Sequence, residues 1–145
     1  MEKFRHLGIK LTPQRLAILH YLEGNKDHPS AEDIYRVLRK RFPTMSLATV
    51  YNALSTLKEK GCVLELAVDP ERKRYDPDTR HHDHLICKSC RRIVDAPDAI
   101  KIDLPESAKQ GFTIVESHVE YYGICFKCKT RKDKPTKEAV HVRRS

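Results

Sequence analysis

Two Cys-x-x-Cys pairs, at residues 87–90 and 125–128, constrain this chain more than any other feature of its sequence. Four thiolates in paired spacing can close a tetrahedral Zn²⁺ site. The 34 residues between the pairs are enough for a strand, a helix and a strand that bring the pairs together. Buried core thiols rarely take this spacing, and two pairs favour zinc over a redox dithiol. We therefore predict a structural Zn²⁺ ion bound by Cys87, Cys90, Cys125 and Cys128.

The length of 145 residues allows one domain or two small ones, and 39% hydrophobic residues can build a core. Two small cores would each be marginal, and a bound metal would offset that weakness. No apolar run approaches the roughly 18 residues of a membrane span. The first residues also lack the apolar stretch of a signal peptide. We expect a cytoplasmic protein, in which paired cysteines favour metal over disulfides.

The net charge of +8 favours an acidic partner such as nucleic acid. Residues 1–80 hold 15 Lys and Arg against 11 Asp and Glu, and residues 127–145 hold 8 against 2. These segments therefore carry +4 and +6, which leaves −2 for residues 81–126. The basic charge lies in the N-terminal half and in the tail, on either side of the predicted metal module.

Three helices and a two-stranded ribbon are predicted for the N-terminal half. Thr12, Ser30 and Ser46 each stand at an N-cap position ahead of apolar residues at helical spacing. The largely apolar stretch 63–68 is predicted to form a strand, Asp69 and Pro70 to form a turn, and residues 73–75 to return as a second strand. This order of elements is typical of a winged helix-turn-helix.

The pattern changes after a polar, Pro-containing stretch that we interpret as a hinge. Short strands flank the first Cys pair, a short helix is predicted from Asp103 to Gly111, and a strand from Phe112 to Ile124. The predicted class is therefore α+β, with a winged-helix domain before a small α/β domain. The predicted boundaries are 1–76 for the first domain, 77–81 for the hinge, 82–130 for the second domain and 131–145 for a basic, partly disordered tail.

The third helix carries a polar stripe in which Thr49, Asn52 and Thr56 recur at i, i+3 and i+7. Asparagine can pair bidentately with adenine in the major groove of DNA. An ordinary solvated helix face would show the same stripe, so the ribbon and the basic charge add to this interpretation. The predicted DNA contacts are Arg15, Thr49, Tyr51, Asn52 and Thr56.

A second ligand cluster precedes the first Cys pair. His82 and His84 alternate and would share one face of a strand, where Asp95 and Asp76 can join them. A mixed set of imidazoles and carboxylates suits Fe²⁺ or Mn²⁺ better than thiolate-loving ions. The alternative is an exposed His-rich turn, and His28 taken alone would be an ordinary loop histidine.

Over residues 7–130 the chain resembles the ferric-uptake-regulator (Fur) superfamily of metal-dependent repressors. The resemblance implies a homodimer, an N-terminal winged helix, a C-terminal α/β dimerisation domain and the Cys₄ zinc already predicted. The matching stretches are Leu11-Thr12-Pro13-Gln14-Arg15, His28-Pro29-Ser30-Ala31, Ser46-Leu47-Ala48-Thr49-Val50-Tyr51, His82-Asp83-His84-Leu85-Ile86-Cys87 and Tyr122-Gly123-Ile124-Cys125.

Within the superfamily, the residues resemble the peroxide-regulator branch, in which three His and two Asp bind the regulatory metal. Asn52 also fits that branch, whereas the stretch His81-His82-Asp83-His84 follows the wording of the iron regulators. Whether His81, Asp83 and His118 form a further metal site is left open by the sequence. The resemblance places the regulatory ligands at His28, Asp76, His82, His84 and Asp95.

The expected function is a DNA-binding repressor of peroxide-stress genes, which senses H₂O₂ through Fe²⁺-catalysed oxidation of its own histidine ligands. An Fe²⁺-responsive iron-uptake regulator is the first alternative, and a zinc-uptake regulator is disfavoured by the carboxylates. A zinc hydrolase using the His/Asp set is a third, but the chain offers no evident general base. We expect a regulator and not an enzyme.

Overall fold

The computed structural model describes Gly8 and residues 10–69, 71–96, 103–115, 117 and 119–131. The chain divides into two compact units, residues 1–79 and 80–145. The elements of the first unit are α1 (Pro13–Leu22), α2 (Ala31–Leu38), α3 (Leu47–Glu59), β1 (Leu64–Leu66) and β2 (Arg74–Asp76). Those of the second are β3 (Asp83–Cys87), β4 (Ile93–Ala96), α4 (Glu106–Lys109), β5 (Glu120–Gly123) and α5 (Phe126–Thr130).

Side-chain caps start all three helices of the first unit. Thr12 Oγ1 accepts a hydrogen bond from the Arg15 amide at 3.2 Å, and Ser46 Oγ accepts one from the Thr49 amide at 3.1 Å. Ser30 forms a reciprocal capping box with Asp33. The caps satisfy backbone donors that the first turn leaves unpaired, so these helices begin where the sequence indicates.

The core of the first unit lies between the three helices and the ribbon. β1 and β2 pair antiparallel with Leu64 opposite Asp76, and this pairing forms the wing. The structure therefore confirms the winged-helix prediction. The buried side chains are Ile18, Leu19, Leu22, Ala31, Ile34, Leu38, Met45, Val50, Ala53, Leu54, Leu57, Val63 and Tyr75.

The second unit is built on a three-stranded sheet with the order β4-β3-β5. β3 pairs antiparallel with β4 and parallel with β5. The antiparallel register sets Ile86 opposite Ile93, both of which are buried, and sets His84 opposite Asp95. Because directly opposed residues of a ladder share a face, the apolar pairing also fixes the position of the His84–Asp95 pair.

The strand expected from Phe112 to Ile124 is much shorter in the structure. β5 runs only over Glu120–Gly123, and Phe112 and Val115 are exposed, at 73% and 94%. β3 has only five residues, four of which already pair with β5, so a longer strand would have no partner. Residues 116 and 118 of this stretch lie outside the described residues.

The sequence pattern does not predict the helix α5. Its first turn closes when the Cys125 carbonyl accepts hydrogen bonds from the amides of Cys128 and Lys129, both at 3.0 Å. Apart from Arg131, the predicted basic tail lies outside the described residues. Within the described part of the chain, no helix is long and apolar enough to cross a membrane.

Candidate metal centres and recognition helix

The four predicted zinc ligands lie together in the second unit. Their sulfur atoms all lie within 4.8 Å of one another, and Cys90 Sγ is 3.7 Å from Cys125 Sγ. A tetrahedral ion with Zn–S bonds of about 2.3 Å holds its sulfurs about 3.8 Å apart. The four thiols are not bridged by disulfides. Geometry and donor chemistry therefore both fit a structural Zn²⁺.

Two knuckles of backbone bring the sulfurs together. Cys87 ends β3, and a tight turn follows in which Arg91, at φ +60°, donates its amide to the Cys87 carbonyl at 2.9 Å. Cys125 is the N-cap residue of α5, and Cys128 lies in its first turn. The Cys125 amide donates to Cys87 Sγ at 3.3 Å and so joins the two knuckles.

The surroundings of Cys87 favour its thiolate. Burial raises the pKa of this thiol, but hydrogen bonds from the backbone amides of Cys125, Cys90 and Ser89 outweigh burial and lower it to about 6. Burial and the neighbouring thiols instead raise the pKa of Cys90 to about 12. Four thiolates this close repel one another, so a divalent cation is the natural counter-charge.

In the first unit, His28 and Asp76 form a buried pair. His28 precedes the α2 cap and Asp76 ends β2, with His28 Nε2 3.3 Å from Asp76 Oδ2. The Tyr75 amide donates to the Pro29 carbonyl at 3.0 Å, which holds the loop before α2 against β2. Sequence spacing alone gives no hint of this pairing across 48 residues.

In the second unit, His82, His84 and Asp95 converge. His82 Nε2 lies 3.6 Å from Asp95 Oδ1, and the two imidazole rings have centroids 4.5 Å apart. His82 Nδ1 lies 2.7 Å from the Arg80 carbonyl, which only accepts, so Nδ1 carries the proton. In the neutral ring, Nε2 then keeps the lone pair that a metal ligand requires.

The further site that the sequence left open stays open. Asp83 is buried and accepts a hydrogen bond from the Tyr121 hydroxyl at 3.5 Å, whereas His81 is exposed. His118 lies outside the described residues.

Four of the five predicted DNA contacts lie on α3, and Arg15 lies in the first turn of α1. Tyr51 and Asn52 are exposed, while Thr49, Thr56 and Arg15 are half-buried. Thr56 Oγ1 donates to the Asn52 carbonyl at 2.9 Å, and Arg15 Nη1 donates to the Lys10 carbonyl at 2.9 Å. The exposed amide of Asn52 is therefore the member of the stripe best placed to contact a partner, and DNA contact itself stays a prediction.

A contact between α2 and α3 escaped the sequence analysis. The Tyr51 hydroxyl donates to Glu32 Oε1 at 2.6 Å, joining residues 19 positions apart. This hydrogen bond lowers the pKa of Glu32 more than burial raises it, and it raises the pKa of Tyr51. The bond joins α3 to the first turn of α2. No local pattern marks it.

We expect the Tyr51→Phe substitution to raise the pKa of Glu32 toward its ordinary value, because the principal donor to the carboxylate is lost. A folded-state pKa below the unfolded value gives stability that is present at neutral pH and lost as the pH falls through the folded pKa. The variant should therefore lose less stability than the wild type between neutral pH and pH 3. The measurements are an NMR titration of the Glu32 carboxyl carbon and urea unfolding at each pH. Tyr35→Phe, on α2, is the control. An unchanged Glu32 pKa in Tyr51→Phe would contradict the assignment.

A winged helix, a Cys₄ site of the zinc type and buried His/carboxylate clusters define a metal-binding regulator. The sequence profile of the Ferric uptake regulator family matches residues 6–122, and the chain belongs to this family.

Known proteins similar to the chain include two with peroxide in their names. It is 38% identical over 135 residues to the peroxide operon regulator of Bacillus subtilis, covering 92% of this chain and 93% of that protein. It is 39% identical over 133 residues to the peroxide-responsive repressor PerR of Staphylococcus aureus, covering 90% of each. The ferric uptake regulator of Francisella tularensis, solved with iron, superposes with a TM-score of 0.66 at 30% identity, covering 84% of this chain and 96% of that one.

Proposed function

We propose that the protein is a metal-dependent, DNA-binding repressor of peroxide-stress genes, active as a homodimer. The observation that carries the proposal is the presence, in each unit, of buried histidine beside a carboxylate. His28 with Asp76 lies in the first, and His82, His84 and Asp95 lie in the second. The similarity to two peroxide regulators over about nine-tenths of the chain supports the same function.

We infer that the two clusters act together as one regulatory site for Fe²⁺ or Mn²⁺. The set offers three imidazole nitrogens and two carboxylates. Hard and borderline donors of this kind suit Fe²⁺ and Mn²⁺, whereas the Cys₄ set retains Zn²⁺. The chain thus separates a structural ion from a regulatory one by the chemistry of its ligands.

The division of ligands between the units supplies the switch. Because His28 and Asp76 belong to the DNA-binding unit, the affinity of the full ligand set depends on the angle between the two units. By linkage, ligand binding then favours the angle at which all five side chains converge. In the dimer, that angle places the two α3 helices about one DNA turn, roughly 34 Å, apart.

Peroxide would end repression by damaging the ligand set. Fe²⁺ held by these residues would catalyse the reduction of H₂O₂ beside its own ligands, with no net change in the iron. In the net reaction a carbon of the His28 or His82 ring gains one oxygen atom, the histidine is oxidised by two electrons, and peroxide is reduced to water. An oxidised imidazole is a poorer ligand, so the units lose the geometry that fits DNA. The redox-inert Cys₄ zinc should remain.

The test is peptide mass spectrometry after a brief, near-stoichiometric H₂O₂ pulse on the Fe²⁺-loaded protein. We expect one added oxygen on the peptides that contain His28 or His82. Loss of affinity for a DNA duplex selected by the wild-type protein should accompany it. The Mn²⁺-loaded protein is the matched control and should remain unmodified. The peptide containing the exposed His20 is an internal control.

The same experiment distinguishes the alternative function, an Fe²⁺-responsive iron-uptake regulator. The sequence motif His81-His82-Asp83-His84 favours that alternative. In that case Fe²⁺ would restore DNA binding, but peroxide would leave both histidines unmodified and the complex intact. Oxidation without loss of DNA binding would contradict the sensing mechanism and the regulatory role of these residues.

A further inference from the structure

The Arg74 guanidinium joins three segments of the first unit. Its Nε donates to the His28 carbonyl at 2.5 Å, and its Nη2 donates to the Asp27 carbonyl at 3.2 Å. Its Nη1 lies 3.7 Å from Asp69 Oδ2 in the turn between β1 and β2. The Arg74 side chain is only 13% exposed, so solvent does not replace these contacts freely.

The backbone of His28 depends on such a contact. His28 has φ +47°, in the left-handed region that residues with a Cβ atom rarely adopt. Successive carbonyls of an extended segment point in opposite directions, and a left-handed residue breaks that alternation. At His28 the left-handed conformation allows the carbonyls of Asp27 and His28 both to accept from the planar fork of N–H donors on the Arg74 guanidinium. The fork therefore stabilises the same backbone conformation that points the His28 ring at Asp76.

Asp69 in turn holds the fork. Its side chain is 3% exposed, and its Oδ1 accepts a hydrogen bond from the Glu71 amide at 3.1 Å, which fixes the carboxylate within the wing turn. Arg72 also approaches Asp69, with Nε 4.0 Å from Oδ2, but its side chain is 42% exposed. Arg74 alone of these two arginines bonds to the loop that carries His28.

We propose that Arg74 is a positioning residue for the regulatory metal ligand His28, with Asp69 fixing its guanidinium. The proposal rests on the function proposed above, because it assigns a role within the same site. It adds a physical link between the wing and the metal-binding loop. A change in the backbone conformation of His28 moves the carbonyl that accepts from Arg74. The guanidinium must then shift, and its contact with Asp69 transmits that shift to the wing turn.

The test compares Arg74→Lys with Arg72→Lys as the matched control. Lysine keeps the charge but cannot present the planar fork to two carbonyls. We expect Arg74→Lys to weaken Mn²⁺ binding about 10- to 100-fold, the usual effect of losing an outer-shell partner. Hydrogen exchange at the Tyr75 amide, which bonds to Pro29, should accelerate at least about 10-fold without added Mn²⁺. Arg72→Lys should match the wild type in both measurements, and all proteins should retain zinc.

Each outcome decides the proposal. Unchanged Mn²⁺ affinity in Arg74→Lys overturns it, whatever the exchange result, and so does an equal loss in Arg72→Lys. If the wild type itself binds no Mn²⁺ beyond the zinc site, the proposed function fails. In that case, faster hydrogen exchange at the Tyr75 amide in Arg74→Lys but not in Arg72→Lys would still support the role of Arg74 in holding the His28 loop. Unchanged exchange in Arg74→Lys would refute that role. Should Arg74→Lys not fold, Asp69→Asn takes its place, with an expected loss of about 3-fold or more in Mn²⁺ affinity; no loss refutes the proposal.

Discussion

Replacing Cys125 by serine is expected to remove the zinc and unfold the second unit. A hydroxyl does not ionise as the thiol does, so the ion loses one of four anionic ligands and the α5 knuckle loses its link to β3. A structural zinc contributes about 10–16 kcal/mol to small zinc domains. That exceeds what the buried apolar side chains in the described part of this unit supply, among them Ile86, Ile93 and Val119.

Metal analysis and NMR of the variant measure both consequences. Zinc per chain should fall from about one to nearly zero, and the resonances of the β3–β5 sheet should collapse to unfolded positions. The first unit, whose core contains no zinc ligand, should keep its dispersion. Cys62→Ser is the matched control, because Cys62 lies in the first unit and donates only to the Lys60 carbonyl. A zinc-free Cys125→Ser protein with an intact sheet would show that the ion is not structural.

The parts of the fold that depend on local chemistry could be predicted from the sequence. N-caps act within one turn, so Thr12, Ser30 and Ser46 indicate helix starts directly. The Cys pairs are local in the same sense, because each knuckle spans four residues. Local signals therefore identified the winged helix and the zinc ligands.

Features that depend on residues far apart in the chain could not be predicted from the sequence. The apolar stretch before Glu120 has the composition of a strand, but strand formation needs a free edge of sufficient length, and β3 offers only four paired positions. The bond between Tyr51 and Glu32 joins two helices 19 residues apart. Neither the length of β5 nor the Tyr51–Glu32 hydrogen bond is set by a pattern within a short stretch of sequence.

The proposed regulatory site combines local and distant residues. The alternation of His82 and His84 predicts one shared strand face, with Asp95 on the neighbouring strand. In the structure His84 lies in β3, His82 immediately precedes that strand, and Asp95 lies in β4. His28 and Asp76 entered the ligand set through family resemblance, because 48 residues separate them. In the structure, the backbone bond between Tyr75 and Pro29 brings them together. Only the antiparallel return of β2 past the loop before α2 creates that proximity.

His82→Ala is expected to abolish the metal response while leaving the zinc in place. The ring is buried, its Nδ1 is fixed by the Arg80 carbonyl, and its Nε2 faces Asp95. Alanine would remove a proposed direct ligand, so Mn²⁺ affinity should fall by at least about 100-fold, more than the usual loss of an outer-shell partner. The gain in DNA affinity from Mn²⁺, expected on the order of 5- to 150-fold in the wild type, should disappear.

Calorimetry with Mn²⁺ and anisotropy on the duplex selected by the wild-type protein measure the two effects. His20→Ala is the matched control, because His20 is an exposed helical histidine beside Glu23, outside both ligand sets. It should bind Mn²⁺ and DNA as the wild type does. Retained Mn²⁺ binding in His82→Ala would exclude this residue from the ligand set. Linkage requires Mn²⁺ binding and the Mn²⁺-dependent gain in DNA affinity to be lost together. If His82→Ala lost Mn²⁺ binding but kept that gain, the proposed coupling between the metal site and the recognition helix would be wrong.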